Sequence, residues 1–153
     1  MGEEPSDAVS QDLLEEMVCF DLHAASRAMT AVYRPLLDPL GLTYPQYLVL
    51  TVLWERGPQP IGAIVQRLEM DYGTISPLVK RLETHGLVRR ARSAQDERQV
   101  EVALTEDGDR LRHEAPRIRA AITEALGLTA RQAEELHRVL RRVTARAREG
   151  AAD

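Results

Sequence analysis

Two neighbouring segments repeat one spacing of apolar residues: Ile61, Ile64, Val65 and Leu68, then Ile75, Leu78, Val79 and Leu82. Both follow i, i+3, i+4, i+7, which puts four side chains on one face of an α-helix, so both are read as short helices with one buried face. The stretch "MDYG" joins them, and "THG" ends the second with Gly86 placed as a C-cap. After the pair, "GLVRRAR" and "RQVEVAL" flank the polar turn "SAQDE", and Val100, Val102 and Leu104 alternate with polar residues. That alternation predicts a β-hairpin with a long, charged tip.

Helix, turn, helix and an arginine-rich hairpin is the plan of a winged helix-turn-helix. The second helix of such a pair enters the major groove, and the wing reaches a neighbouring groove or the backbone. On the segment from Tyr72 to Thr84 the face opposite the apolar stripe offers Gly73, Thr74, Ser76, Pro77, Lys80 and Arg81. A glycine and short hydroxyls near a helix N-terminus allow close approach to phosphates and base edges, and the two cations neutralise phosphates. Pro77 removes one helical hydrogen bond unless it lies in the first turn. On an extended wing Asp96 and Arg98 share a side, so the carboxylate is placed to hold the guanidinium for insertion into a minor groove. The other reading of that pair is a surface ion pair of small energetic value. With Asp71, Tyr72 and Arg90, these residues are the candidate DNA-binding set, and double-stranded operator DNA is the expected partner.

The charge distribution agrees. The formal net charge is −4, but residues 78–98 carry Lys80, Arg81, Arg89, Arg90, Arg92 and Arg98 against Glu83, Asp96 and Glu97. Residues 1–30 carry Glu3, Glu4, Asp7, Asp12, Glu15, Glu16 and Asp21 against Arg27. An acidic chain with one local basic region suggests a local anionic partner.

The flanks are helical. Leu14, Val18, Leu22, Ala25, Met29 and Val32 recur at threes and fours, predicting an amphipathic helix from about Asp12 to Tyr33, with a break or kink where Arg34 meets Pro35. "PLLDPLGLT" reads as a short helical turn and a connector. Thr43 and Gln46 form a capping-box pattern opening a helix that ends near Gly57. A helix is predicted from Thr105 to Gly127, and a last one after Thr129 and Gln132 with the stripe Leu136, Val139, Leu140 and Val143. The fold class is therefore mainly α with a small β-hairpin wing. Residues 1–11 are expected to be a disordered acidic tail and 43–104 the winged core, with helical segments 12–42 and 105–149 on either side of it.

With 44% apolar and 29% charged residues, the composition fits one globular domain. No apolar run reaches bilayer length and no signal peptide is legible, so a cytoplasmic protein without membrane contact is expected. A single cysteine, Cys19, cannot form an internal disulfide. The four histidines are scattered without metal-binding spacing, so no metal or other cofactor is expected.

"LVKRLETHGLVRRARSAQDERQVEVALTEDG" resembles the helix-and-wing signature of the MarR-type winged-helix repressors. The resemblance covers nearly everything from about residue 12 onward, and it implies a homodimer, joined by the first and last helices, that binds a pseudo-palindromic operator. Within that family "VCFDLHAASRAMTAVYRPLLDPLGLTYPQYLVLTVLWE" is similar to the organic-hydroperoxide-sensing repressors, in which one N-terminal cysteine is the sensor. That similarity implies that Cys19 is the redox sensor and that the hydroxyls of Tyr33 and Tyr44 hydrogen-bond its thiolate. "MDYGT" departs from the usual form, with Tyr72 where a small hydroxyl residue is common. The expectation is a redox-sensing repressor and not an enzyme. Two rivals are a repressor of the same fold released by a phenolic or other small ligand, and a thiol peroxidase.

Spacing adds a constraint. Cys19, His23, Ser26, Thr30 and Tyr33 share one helix face, but Cys19 and Tyr33 lie roughly 21 Å apart along the axis at about 1.5 Å per residue. A Tyr33 that touches a Cys19 thiol therefore comes from the other subunit, across a twofold axis. Glu15, Glu16 and Asp21 disfavour a nearby thiolate by like-charge repulsion. Phenolic hydrogen bonds would oppose them, as would His23 if protonated; its other reading is a partly exposed helical histidine. Oxidation by an organic hydroperoxide is expected to give a sulfenic acid. With no second cysteine, its fate is a mixed disulfide with a small thiol, a sulfenamide, or further oxidation.

Overall fold

The structure, a computed structural model, describes residues 13–151. The tail predicted over residues 1–11 lies outside them. The chain divides into two compact units, one ending at Arg110 and the other beginning at Leu111.

The first unit runs α1 (Val18–Leu37), a 3-10 turn (Asp38–Leu40), α2 (Tyr44–Arg56), β1 (Gln59–Pro60), α3 (Ile61–Leu68), α4 (Tyr72–Thr84), β2 (Val88–Arg92), β3 (Val100–Leu104) and α5 (Glu106–Arg110). Its centre is α2. The predicted capping box opens that helix: the Gln46 N–H donates to Thr43 Oγ1 at 3.4 Å, and the Thr43 N–H donates to Gln46 Oε1 at 2.9 Å. Gly57, at φ 72°, ends it. Between those stops α2 buries Val49, Leu50, Val52 and Leu53, and it packs against α1, α3, α4 and β3. The i, i+3, i+4, i+7 faces of α3 and α4 point into the same core, with Ile61, Ile64, Ile75, Leu78, Val79 and Leu82 buried.

The wing is the hairpin of β2 and β3, paired from Val88↔Leu104 to Arg92↔Val100. Gln59 and Pro60 add a third antiparallel strand, giving the order β1-β3-β2. That strand is absent from the sequence expectation. Two residues carry no alternation, and Pro60 argues against a strand except at an edge, which is where it lies.

Three helix boundaries also differ. α1 begins at Val18 rather than near Asp12; residues 13–16 form a turn closed by the Met17 N–H on the Leu14 carbonyl at 3.2 Å. Leu13, Leu14 and Met17 are exposed, and an apolar stripe with no surface to cover it does not hold a short helical segment. At the other end α1 runs through Pro35 to Leu37, because the Asp38 N–H bonds the Arg34 carbonyl and straddles the proline. The helix predicted from Thr105 to Gly127 is three pieces: α5, a 3-10 turn (Leu111–Glu114) and α6 (Ala115–Leu126). Pro116, without an N–H and restricting the residue before it, stands where the new helix starts.

The second unit is that 3-10 turn, α6 and α7 (Ala130–Ala151). α6 buries Ile118 and Ile122. α7 buries nothing, and its stripe of Leu136, Val139, Leu140 and Val143 is exposed. Among the described residues no helix is long and apolar enough to cross a membrane.

Candidate functional site

Two groups of residues carry the chemistry. The first is the outer face of α4 with the wing. Asp71 is the N-cap of α4: its Oδ1 accepts the Thr74 N–H at 2.7 Å and its Oδ2 accepts the Thr74 hydroxyl at 2.9 Å. The Thr74 hydroxyl, then its N–H, hold the Asp71 carboxyl below the usual carboxylate range. Thr74 thus gives its hydroxyl proton to the cap and offers a partner only an acceptor. A Cβ on Gly73 would stand 3.1 Å from Asp71 Oδ1, so the glycine leaves room for that cap. Gly73, Thr74, Pro77, Lys80 and Arg81 are exposed and Ser76 is half-buried, opposite the buried stripe. Pro77 lies in the second turn, so the Gly73 carbonyl loses its helical donor. Tyr72, at the first position of α4, is 58% exposed and lines a cleft with Gln66, Pro60, Arg98, Gln99 and Val100. The structure therefore brings Tyr72 and Arg98 to one place.

The wing tip is held by its main chain. The Ser93 N–H donates to the Gln99 carbonyl and the Gln99 N–H to the Asp96 carbonyl, both at 2.9 Å. Asp96 Oδ1 accepts the backbone N–H of Arg98 at 3.0 Å. The carboxylate expected to grip the Arg98 guanidinium grips its main chain instead, because the tip is a turn and not an extended strand. Arg90 is likewise engaged inside the chain, on Glu83 of α4, with Nε to Oε2 at 2.8 Å. Sequence spacing did not expose that partner.

The second group is aromatic. Tyr33, from α1, packs on Tyr44 of α2 with ring centroids 4.3 Å apart and the planes tilted by 36°, and Tyr47 lies 6.0 Å from Tyr33. Trp54 meets Tyr47 edge-on at 5.7 Å, and its indole N–H donates to the Gly108 carbonyl at 3.0 Å. Burial, then the neighbouring Tyr44 and Tyr47, push the Tyr33 hydroxyl up to about 12. Burial also raises Tyr44. Both phenols therefore stay protonated at neutral pH, each with a proton to donate. Tyr47 and Trp54 were missed in the sequence because their apolar helix positions read as ordinary core.

Cys19 is a free, exposed thiol in the first turn of α1. His23, one turn on, is exposed. One continuous helix carries Cys19 and Tyr33, so within a chain the tyrosine pair and the thiol stay at opposite ends of α1.

A family model described as transcriptional regulator SarA/Rot matches residues 31–115. The chain is 46% identical over 123 residues to the organic hydroperoxide resistance transcriptional regulator of Bacillus subtilis, covering 80% of this chain and 82% of that one. Among solved structures, reduced AbfR bound to DNA, a Staphylococcus epidermidis protein, superposes with a TM-score of 0.73 at 31% identity over 90% of this chain and 96% of that one. The overoxidised form of AbfR bound to DNA gives 0.68 at 35% identity, over 87% and 98%. With the winged core, the tyrosine pair and the lone cysteine in place, the chain belongs to the MarR-type family of winged-helix transcriptional regulators, beside the organic hydroperoxide resistance regulators.

Proposed function

We propose that this protein is a redox-sensing transcriptional repressor: a homodimer that binds a pseudo-palindromic operator and is released when an organic hydroperoxide oxidises Cys19. The observation that carries the reading is the pairing, in one chain, of an exposed α4-and-wing surface with a lone thiol at a helix start and two protonated tyrosines packed ring on ring. In this reading Gly73, Thr74, Ser76, Lys80 and Arg81 meet the major groove, Arg98 the minor groove, and Asp71 with Asp96 hold those elements in shape. Residues 43–104 are the reading core, and the flanking segments 12–42 and 105–149 join the subunits through the exposed apolar residues of α1 and α7.

The thiolate attacks the terminal peroxide oxygen. Sulfur gives up two electrons, the O–O bond breaks, and the alcohol leaves with one proton, giving the sulfenic acid. The phenols of Tyr33 and Tyr44 donate hydrogen bonds to the thiolate, both supplied by the opposite subunit. His23, one turn from the thiol, supports the anion when protonated. A small cellular thiol then condenses with the sulfenic acid, forming a mixed disulfide and water. That overoxidised AbfR is bound to DNA favours such a bulkier adduct over sulfinate as the species that releases the operator. The chemistry is stoichiometric, one peroxide per subunit, so the protein acts as a switch in the cytoplasm and not as a peroxidase. Population-shift arithmetic sets the scale: releasing a mostly bound dimer requires oxidation to cost operator affinity on the order of 3 to 5 kcal/mol.

The test is operator binding before and after organic hydroperoxide, with intact mass measured on the same samples. Wild type is expected to release DNA and gain one adduct per subunit, whereas Cys19→Ser binds equally well and stays bound. Release of the serine variant by peroxide would overturn the reading, and consumption far above one equivalent per subunit would favour a peroxidase.

A further inference from the structure

The wing strand β2 packs on α4, with Val88 buried and the Leu87 N–H on the Leu82 carbonyl, and one side chain adds a polar tie between the two elements. Glu83 stands in the last turn of α4. Its Oε1 accepts the backbone N–H of Arg90 at 2.9 Å, and its Oε2 accepts Arg90 Nε at 2.8 Å. β2 is an outer strand of the sheet, so the Arg90 N–H that faces away from β3 is free to meet a side chain. Both carboxylate oxygens are thus satisfied by one residue, in a two-point contact that resists sliding and rotation together. The Arg90 hydrogen bonds, the backbone one first, hold the Glu83 carboxyl below its usual range. Both side chains are about two-thirds covered. The connector from α4 to β2 is only His85, Gly86 and Leu87, with Gly86 at φ 73° and its carbonyl accepting the Thr105 hydroxyl. The Glu83–Arg90 contact spans that bend from outside.

The geometry points to Glu83 as a positioning residue for operator binding, one that sets the angle of the wing against α4 through Arg90, with Arg90 acting as its anchor and not as a phosphate contact. The inference rests on the DNA-binding reading above. Charge alone makes the opposite prediction for Glu83: removing an anion beside DNA strengthens binding to phosphates. Positioning predicts that removing it weakens binding, so the sign of the effect decides.

The experiment uses the full-length protein and a duplex selected by the wild type from a random-sequence pool. Glu83→Gln keeps size and one acceptor but loses the acceptor for Arg90 Nε. It is expected to raise the operator Kd about tenfold, the scale of one lost charge-assisted contact. Arg90→Gln is expected to match it, the double variant to be no worse than either single one, and the dependence of binding on salt to stay at the wild-type slope. Equal or tighter binding by Glu83→Gln would overturn the inference, as would a log–log salt slope reduced by about 0.9 in Arg90→Gln, the mark of a lost phosphate contact. Hydrogen exchange in the absence of DNA separates this inference from the reading it rests on. If the wild type selects no duplex, the DNA-binding reading fails. Faster exchange of the β2 amides in Glu83→Gln still upholds the contact as what holds the wing, and unchanged exchange refutes it.

Discussion

The winged core and the two end helices obey different rules. In α2, α3 and α4 the apolar stripes find cover inside one chain, and Val49, Leu50, Ile64, Ile75, Val79 and Leu82, with Val102 of β3, are closed to solvent. In α1 only Leu37 is buried, with Val18 and Phe20 exposed on either side of Cys19, and α7 buries no residue at all. The proposed DNA-reading surface lies within a single subunit. The proposed sensor does not, since its thiol lies at one end of α1 and its tyrosines at the other.

Truncating a leucine in each region breaks this comparison most sharply. Leu82 is fully buried and Leu140 is 37% exposed. Leu82→Ala is expected to cost about 2 to 5 kcal/mol in urea unfolding, a cavity penalty that does not depend on protein concentration. Leu140→Ala is expected to cost little in the subunit and to raise the dimer dissociation constant about tenfold or more, the threshold of an energetically important interface residue. Sedimentation measures the second; an unchanged dimer would remove α7 from the joint.

A smaller effect separates the regions by pH. Tyr33 is pushed up to about 12 from the usual 10, so its contribution to stability is full below the ordinary value and is lost as pH rises through the folded one. Unfolding midpoints are expected to fall between pH 10 and 12, and Tyr33→Phe to remove part of that fall. Asp71 and Glu83 are shifted the other way. Their contributions are present above the ordinary carboxylate range, about pH 4, and are lost as pH drops below it. The Thr74 and Arg90 amide resonances are expected to titrate below pH 4 and to stay flat between pH 6 and 8.

Local chemistry is what the sequence made legible. The Thr43–Gln46 capping box, the stop at Gly57 and the faces of α3 and α4 each depend on residues within one or two turns. Contacts set by the angle between elements were hidden. Glu83 and Arg90 are seven positions apart and meet only because the chain bends at Gly86; Asp96 was assigned the right neighbour but the wrong group of it. Gly108 shows the same limit, since a Cβ there would stand 2.0 Å from the Leu87 carbonyl oxygen, an approach that no spacing rule reveals. Of the break or kink expected at Pro35, the break does not occur, because the proline falls in the helix's last turn, where the Asp38 N–H bonds past it. Cys19 gained its place at a helix start only from the true beginning of α1.

The direct test of a sensor assembled across two subunits is a mixed dimer, one subunit carrying Cys19→Ser and the other Tyr33→Phe. Its one remaining Cys19 lies on the Tyr33→Phe chain and would face the intact Tyr33 of its partner. In the Tyr33→Phe homodimer oxidation by an organic hydroperoxide is expected to slow about tenfold, the loss of one hydrogen bond to a thiolate. In the mixed dimer the account predicts a return to the wild-type rate; a rate as slow as that of the Tyr33→Phe homodimer would contradict it.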